Sequence, residues 1–305
     1  MHMNRTHLGL TFKMTFLVVA GVLLTASVSN PGAPPEGVDE PVVWTQNKAP
    51  KVPSEDDLAG ERVPFEYFGV REQLDREMVV NTYHHSSTML YFKRASRWFP
   101  VIEPILAEKG LPDDFKYLAI IESGLSQVVS PAGAAGFWQF MKGTAPQYGL
   151  RVTREVDERY HVEKATYAAC DYLLEAKEEF GSWALAAASY NMGKAGVRRD
   201  LEAQSVDTYW ELHLNSETAR YVYRLLAIKA IFEDPESFGF SIQPEALYAP
   251  YETRMVWVKS SIDDLSGFAL EQGANLKALK TLNPWLRSGQ LTVAANDSIA
   301  IELPV

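Results

Sequence analysis

Between residues 65 and 245, apolar residues recur every three or four positions along the chain. This spacing gathers them on one side of a helix, whereas a half-buried strand would alternate apolar and polar residues, and that alternation is missing here. One predicted helix covers residues 89–106. The next begins at Leu111-Pro112-Asp113-Asp114, where acids in the first turn suit the helix dipole, and runs through Glu122 to Gly124, a typical C-terminal cap. The pattern predicts a mainly α-helical domain.

Three more helices are predicted in the second half of this domain. Each follows the same apolar spacing and ends at a glycine or just before a proline, two residue types that terminate helices. They lie at residues 165–181, 183–193 and 222–234.

The pattern changes beyond this domain, where short strands and helices follow one another. Arg254–Val258 and Ser298–Leu303 are predicted strands. Between them, Ser261-Ile262-Asp263-Asp264 resembles a capping box that opens a first helix, and residues 275–282 form a second. The order strand–helix–helix–strand predicts a small, separate α+β module over residues 250–305.

The first 29 residues have the composition of an export signal. Arg5 and Lys13 give a basic start, Thr15–Val28 is almost wholly apolar, and small residues at its end suit cleavage. These 14 residues fall short of the ~20 that a spanning helix needs. A cleaved signal peptide is therefore favoured over a retained membrane anchor, with a cytoplasmic core helix as the third alternative. We expect a periplasmic or cell-envelope protein, held at the membrane if the segment is kept.

Residues 30–64 contain seven prolines and an acidic cluster at Glu55–Asp57. A segment of this kind cannot bury enough apolar surface to order itself, so it is predicted to be an extended linker. Such a linker would let the globular part reach away from the membrane.

The whole chain is acidic, with 29 basic and 39 acidic residues and a net charge of −10. This balance argues against non-specific binding to nucleic acid, which depends on lysine and arginine. The single cysteine, Cys170, excludes an intrachain disulfide and is expected to be a small core side chain. His84 and His85 are adjacent and the other histidines are scattered without ligand spacing, so no metal or other cofactor is expected.

Glu122 is the first candidate for chemistry, because it lies in the last turn of an apolar helix just before a glycine. Such a side chain can project into a cleft, and packing near Ile120 and Ile121 would raise its pKa and keep it protonated near neutral pH. Cleavage of a glycosidic bond needs a protonated carboxyl, because the leaving oxygen must receive a proton. Taken alone, however, an acid at a helix end is more often simply solvated.

Three later stretches strengthen this candidate. Ser130–Gly136 is a run of small residues that would let a ligand approach the backbone, and Phe137–Met141 adds aromatic rings and one amide, the usual lining of a sugar site. Tyr190-Asn191-Met192-Gly193 places a phenol and an amide at a helix end, and Tyr221 adds a second phenol. Each stretch alone is more often structural than functional.

Together, these stretches resemble the ordered motifs of the lysozyme-like soluble lytic transglycosylases, which form glycoside hydrolase family 23. The likeness extends over residues 85–240. It implies a mostly helical lysozyme-like fold with Glu122 as the acid and base. Ser123 and Asn191 are expected to support the site from beside or behind. The residues expected to contact the glycan are Ser130, Gly136, Gln139, Met141, Tyr190 and Tyr221.

The sequence departs from the family pattern at four positions. Lys142 and Ser216 stand where the family often has proline, and Ser189 and Met192 where it often has alanine. These departures spare the acid, the glutamine and both tyrosines, so they affect the expected details of the sugar subsites and leave the expected chemistry in place.

Ordinary glycosidases use two carboxyl groups about 5–9.5 Å apart. Asp114 lies about 12 Å from Glu122 along the predicted helix, which is too far. Asp157 and Glu158 are expected to form ion pairs with neighbouring arginines. The family resemblance implies instead that Glu122 works alone: it protonates the bond between N-acetylmuramic acid and N-acetylglucosamine, and then removes a proton from the C6 hydroxyl to close a 1,6-anhydro ring. The N-acetyl carbonyl would steady the charge at C1, and Tyr190 and Gln139 would position the sugar and support the acid.

The C-terminal module resembles a divergent LysM domain, a type that generally binds glycans containing N-acetylglucosamine. The usual Gly-Asp-Thr opening is replaced here by Ser260-Ser261-Ile262-Asp263. A packing appendage to the catalytic domain is the alternative. For the whole chain, the expected partner is the glycan strand of peptidoglycan, and two alternatives to a transglycosylase stay open: a hydrolytic lysozyme-type muramidase and a non-catalytic peptidoglycan-binding protein.

Overall fold

The computed structural model describes residues 48–305. The leader predicted for residues 1–29 and the first part of the predicted linker lie outside the described residues. Among residues 48–305, none of the helices combines the length and the apolar character needed to cross a bilayer.

The last part of the predicted linker is folded onto the helical domain, so the globular part begins earlier than the sequence suggested. Strands β1 (Asp57–Leu58) and β2 (Glu61–Arg62) form a small antiparallel hairpin. Leu58 and Val63 are buried in the main core. Two buried apolar residues among prolines and acids are too few to produce a periodic signal, which is why the linker prediction is wrong for this stretch.

Some of the contacts that attach the hairpin to the domain involve Asp114. The Ala59 amide donates a hydrogen bond to the Asp114 carboxylate at 2.7 Å. Lys229 lies 2.8 Å from the same carboxylate and also donates to the Asp57 carbonyl at 3.0 Å. Asp114 therefore has a structural role at this end of the domain.

The mainly helical fold class is confirmed. The structure contains the predicted helices and two that the sequence analysis did not single out, α1 and α6. In α1 the buried Val70, Leu74 and Met78 lie one turn apart on an otherwise polar helix, and α6 has one buried residue, Val197, so their apolar signals are weak. The helices are α1 (Val70–Tyr83), α2 (His85–Lys109), α3 (Lys116–Ser123), α4 (Val162–Phe180), α5 (Trp183–Met192), α6 (Lys194–Gln204) and α7 (Thr218–Glu233).

The alanine-rich helix α5 lies at the centre of the domain, in contact with α4, α6 and α7. Its residues from Ala184 to Ala188 are all buried. Small side chains let neighbouring helices approach closely, and burial on every side removes the apolar stripe that a surface helix would show. Ser182 caps its N-terminus by accepting a hydrogen bond from the Leu185 amide. This packing fixes the C-terminal end of α5, which carries Tyr190 and Asn191.

The C-terminal module has the predicted order of elements. Strands β3 (Thr253–Val258) and β4 (Ile299–Pro304) pair in antiparallel fashion and enclose α8 (Leu265–Glu271) and α9 (Leu276–Leu282). Asp264 and Asn275 cap the two helices, each accepting a hydrogen bond from a backbone amide in the first turn.

The module packs against the helical domain through a shared core. Its buried core includes Leu265, Leu279 and Ile301 of its own chain segment. Ala135, Val156 and Tyr160 of the helical domain belong to the same core. These contacts could not be predicted, because single residues contributed from a distant segment leave no pattern in the sequence.

Candidate active site

Glu122 lies in the last turn of α3, as predicted, and the helix ends at Gly124. Gly124 has a left-handed backbone (φ 60°), and a Cβ atom at this position would lie 2.8 Å from the Tyr91 ring. Both the backbone conformation and the close ring contact therefore require glycine. The turn directs the chain away from the helix immediately after Glu122.

The free carbonyl groups at the end of α3 are bonded to side chains from other elements. Arg224 on α7 donates to the Ile121 carbonyl at 3.0 Å, and Arg94 on α2 donates to the Gly124 carbonyl at 2.9 Å. The Ser123 hydroxyl donates to the Phe137 carbonyl at 2.9 Å. Ser123 thus ties the helix to the loop that follows.

The carboxyl group of Glu122 accepts a hydrogen bond from the Tyr221 hydroxyl, and within residues 48–305 no lysine or arginine forms an ion pair with it. Burial raises the pKa of Glu122 to about 7, opposed by the Tyr221 hydrogen bond and the charge of Arg224, and assisted by the negative charge of Glu217. The negative end of the α3 dipole also disfavours a carboxylate there. A carboxyl group with this pKa can both give and take a proton near neutral pH.

The two tyrosines have different roles at the site. Tyr221 is buried on α7 and bonds directly to Glu122, whereas the Tyr190 hydroxyl donates to the Trp138 carbonyl at 2.8 Å. Burial and the nearby Glu122 charge raise the pKa of both phenols well above the usual value, so both remain hydrogen-bond donors. The direct partner of the acid is therefore Tyr221, and the roles of Tyr190 and Gln139 in positioning the sugar and supporting the acid stay predictions.

The loop from Ser130 to Met141 is closed by its own hydrogen bonds. The Ser130 hydroxyl accepts from the Ala134 amide at 3.0 Å. Gln139 has a left-handed backbone (φ 48°), and its side-chain amide donates to the Gly136 carbonyl at 2.7 Å. Met141 is exposed. Of the predicted glycan-contacting residues in this loop, Met141 has the side chain most open to solvent.

Gly136 is required by a contact within the chain. Its backbone is left-handed (φ 81°), and a Cβ atom would lie only 1.8 Å from the Arg159 carbonyl oxygen. The backbone of residue 159 fills the space beside Gly136. The expectation that this space admits the glycan is therefore wrong. Gly136 sets the path of the loop.

Asn191 forms hydrogen bonds with two residues at the start of α7. Its side-chain oxygen accepts a hydrogen bond from the Thr218 hydroxyl at 2.7 Å, and its amide donates to Glu217 at 3.4 Å. Asn191 thus holds the end of α5 against the start of α7, the helix that carries Tyr221.

The other carboxylates considered from sequence are engaged elsewhere. The predicted ion pair of Asp157 is confirmed, with Arg159 at 2.7 Å. Glu158 is paired as well, but with Arg151 at 2.9 Å and with Lys164 at 2.6 Å.

The residue that sequence reasoning missed is Glu217, an exposed carboxylate whose charge acts on Glu122. It lies four positions before Tyr221, which is one helical turn, and this spacing was visible in the sequence. In the part of the chain that the structure covers, no group of three His, Cys, Asp or Glu side chains is arranged to hold a metal ion.

Comparison with known proteins identifies two domains. Residues 100–212 match the model of the Transglycosylase SLT domain, and residues 254–305 match that of the Soluble lytic transglycosylase C-terminal LysM-like domain. Two relatives, each named membrane-bound lytic murein transglycosylase D, come from Escherichia coli (strain K12) and Escherichia coli O6:H1. Each is 28% identical over 233 residues, which is 73% of this chain and 49% of the relative. The chain thus spans about half the length of these relatives. The predicted resemblance to the soluble lytic transglycosylases with a LysM-like module is confirmed.

Proposed function

We propose that this chain, which contains a Transglycosylase SLT domain followed by a LysM-like domain, is a peptidoglycan lytic transglycosylase with Glu122 as its acid and base. The observation that carries the proposal is the partly buried carboxyl of Glu122, with a pKa of about 7, a tyrosine as its hydrogen-bond partner and no ion pair within residues 48–305. Its position within the matched SLT segment supports the same conclusion.

In the first step, protonated Glu122 gives its proton to the oxygen of the β-1,4 bond between N-acetylmuramic acid and N-acetylglucosamine. The bond between C1 and that oxygen breaks, and the N-acetylglucosamine side leaves as an alcohol. Positive charge develops at C1 of the muramic acid, where the sugar's own N-acetyl carbonyl can stabilise it. The Tyr221 hydroxyl donates to the carboxylate that Glu122 becomes, which limits the cost of its negative charge.

In the second step, the Glu122 carboxylate takes the proton from the C6 hydroxyl of the same muramic acid. The freed oxygen attacks C1 and closes the 1,6-anhydro ring. Glu122 is then protonated again, and water is neither consumed nor produced. The pKa of about 7 suits both halves of this cycle, because the group gives and regains a proton at one pH.

The second candidate function is that of a hydrolytic muramidase. The observation that supports it is the carboxylate of Glu217. A hydrolase would need a second carboxylate to activate water or attack C1. Glu217 is exposed, accepts a hydrogen bond from Asn191 at 3.4 Å and affects Glu122 through its charge. We favour elimination because the matched domain is of the lytic transglycosylase type.

We propose the cell envelope as the place of action. The relatives carry "membrane-bound" and "murein" in their names, and the N-terminal segment has the composition of an export signal. Peptidoglycan strands are the proposed partner of the SLT domain. The LysM-like module is proposed to add affinity for N-acetylglucosamine along the same strands.

Zymography on peptidoglycan gels tests whether the chain is an enzyme. The wild type should clear the gel, and Glu122→Gln should not, while still sedimenting with insoluble peptidoglycan. Glu103→Gln is the matched control, since this carboxylate pairs with Lys116 on the outside of α2 and should be dispensable. A non-catalytic wall-binding protein would sediment without clearing the gel. A Glu122→Gln chain with a tenth or more of wild-type activity would mean that another residue is the acid.

A further inference from the structure

Arg159 holds the two ends of the loop from Gly133 to Phe140. Its guanidinium is buried and forms a two-point pair with Asp157, with nitrogen–oxygen distances of 2.9 and 2.7 Å. The remaining nitrogen donates to the Gly133 carbonyl at 2.9 Å and to the Phe140 carbonyl at 3.1 Å. The planar guanidinium has a fixed donor geometry, so these four bonds set the distance between the two ends of the loop.

The residues between those two ends make the contacts that define the site. The Phe137 carbonyl accepts from Ser123, next to the acid, and the Trp138 carbonyl accepts from Tyr190. The loop also presents the side chain of Gln139. A shift of the loop would therefore change the surroundings of Glu122.

The C-terminal module holds the segment that carries Arg159. The Asp157 amide donates to the Trp285 carbonyl at 2.9 Å, and the Arg287 amide donates to the Glu155 carbonyl at 2.7 Å. The Glu155 carboxylate accepts from the Thr292 amide at 2.9 Å. The segment therefore lies between the module on one side and the site loop on the other.

Side-chain packing joins the same two surfaces. Val156 and Tyr160 are buried in the core of the module. The Arg287 guanidinium lies 4.3 Å from the centre of the Tyr160 ring, and the His161 ring stacks on that of Trp285 at 5.8 Å. The module and this segment share one packed interior, and movement of either would be transmitted to the other.

We propose that the Asp157–Arg159 pair is a positioning element of the candidate active site and that the C-terminal module acts as its support. In this arrangement the module contributes to catalysis through the geometry of the loop, in addition to any glycan that it binds. The expected loss of activity rests on the proposed function. The expected change in the surroundings of Glu122 does not.

The test compares Arg159→Lys with Arg151→Gln in the full-length chain. Lysine keeps the charge but cannot form the two-point pair and reach both carbonyls. Arg151 is the matched control, because it lies on the same segment, pairs with Glu158 and has no bond to the loop among those described. We expect kcat/KM of Arg159→Lys to fall by about 100-fold, the scale of a 1 Å misplacement. The control should keep most of the wild-type kcat/KM, because Lys164 still pairs with the buried Glu158 when Arg151 is replaced.

The pH profile separates positioning from a general loss of folded protein. Activity needs protonated Glu122, so it declines as the pH rises through the pKa of that group. A loosened loop admits water and lowers this pKa, so the pH of half-maximal activity should move downward in Arg159→Lys. A smaller folded fraction would lower the activity at every pH without moving that midpoint, and an unmoved midpoint in a folded Arg159→Lys chain would overturn the inference.

A second variant acts from the module side and leaves Arg159 in place. Glu155→Ala removes the bonds to Thr292 and Gln290 from a partly exposed position, so the chain should still fold. We expect a smaller shift of the midpoint in the same direction, and none for Glu271→Ala, an exposed residue of α8. A profile of Glu155→Ala identical to that of Glu271→Ala would contradict the supporting role of the module.

Carbon-13 NMR titration of Glu122 distinguishes failure of this inference from failure of the proposed function. The measurement needs no substrate. A lowered Glu122 pKa in Arg159→Lys, in a chain that cleaves no glycan, would support positioning and reject the transglycosylase proposal. Glycan cleavage together with an unchanged Glu122 pKa in Arg159→Lys and in Glu155→Ala would support the transglycosylase proposal and reject the positioning inference.

Discussion

Replacing Glu122 with glutamine should make the folded chain more stable at alkaline pH, although it removes the proposed catalytic group. Glutamine has nearly the same shape and can still accept the hydrogen bond of Tyr221, but it never becomes charged. Wild-type Glu122 must ionise in a site where burial disfavours its charge. The cost of that charge should appear as a difference in the free energy of unfolding.

The size of the difference follows from the pKa values of the two states. Glu122 has a pKa of about 7 in the folded chain and 4.5 when unperturbed. Because the folded pKa is the higher one, the stabilisation by the neutral carboxyl is complete below pH 4.5 and is lost as the pH rises through 7. At about 1.4 kcal/mol per pKa unit, the loss amounts to about 3 kcal/mol.

Urea unfolding of the wild type and of Glu122→Gln at about pH 4 and pH 8.5 measures this difference. The two chains should have nearly equal free energies of unfolding at the acid pH, and the glutamine chain should be about 3 kcal/mol more stable at the alkaline pH. Glu158→Gln is a control for which the opposite change in stability is expected. Hydrogen bonds with Arg151 and Lys164 lower the pKa of Glu158, so the glutamine variant should be less stable than the wild type at neutral pH. Equal stabilities of wild type and Glu122→Gln at both pH values would refute the claim that the surroundings of Glu122 disfavour its negative charge.

Three further substitutions test individual contacts. Tyr221→Phe removes the hydrogen bond that lowers the pKa of Glu122, so the alkaline decline of activity should move to higher pH; a decline at unchanged or lower pH would contradict this role. Glu217→Gln should retain most of the turnover measured on soluble glycan, since elimination needs no second carboxylate, and complete loss would favour hydrolysis. Gly136→Ala would bring a Cβ atom within 1.8 Å of the Arg159 carbonyl and should lower the free energy of unfolding by about 3 kcal/mol or more in urea; a change below about 1 kcal/mol would mean that the loop can move.

Local features of the site could be predicted from the sequence. The apolar spacing before Glu122 and the glycine at position 124 predicted a helix that ends immediately after the acid, and the structure has that helix. The two helices of the C-terminal module were predicted too, but the first is capped by Asp264 and not by Ser261, where the sequence predicted a capping box to open. Such signals depend on residues close together in the chain.

Contacts between distant segments could not be predicted in the same way. Tyr221 lies 99 positions from Glu122, so its direct bond to the acid depends on how α3 and α7 pack. The close contact of Gly136 with the backbone of Arg159 could not be predicted either, because Arg159 is also remote in sequence. The hairpin around Leu58 was missed because its burial depends on a core formed by other elements.

The most direct test of the proposed mechanism is mass spectrometry of the products released from peptidoglycan in water labelled with oxygen-18. If Glu122 works alone and the C6 hydroxyl closes the ring, the muramic acid ends will lack the elements of water and carry no label. Muramic acid ends with a labelled hydroxyl at C1 would show that water attacked the sugar, and the elimination mechanism would be wrong.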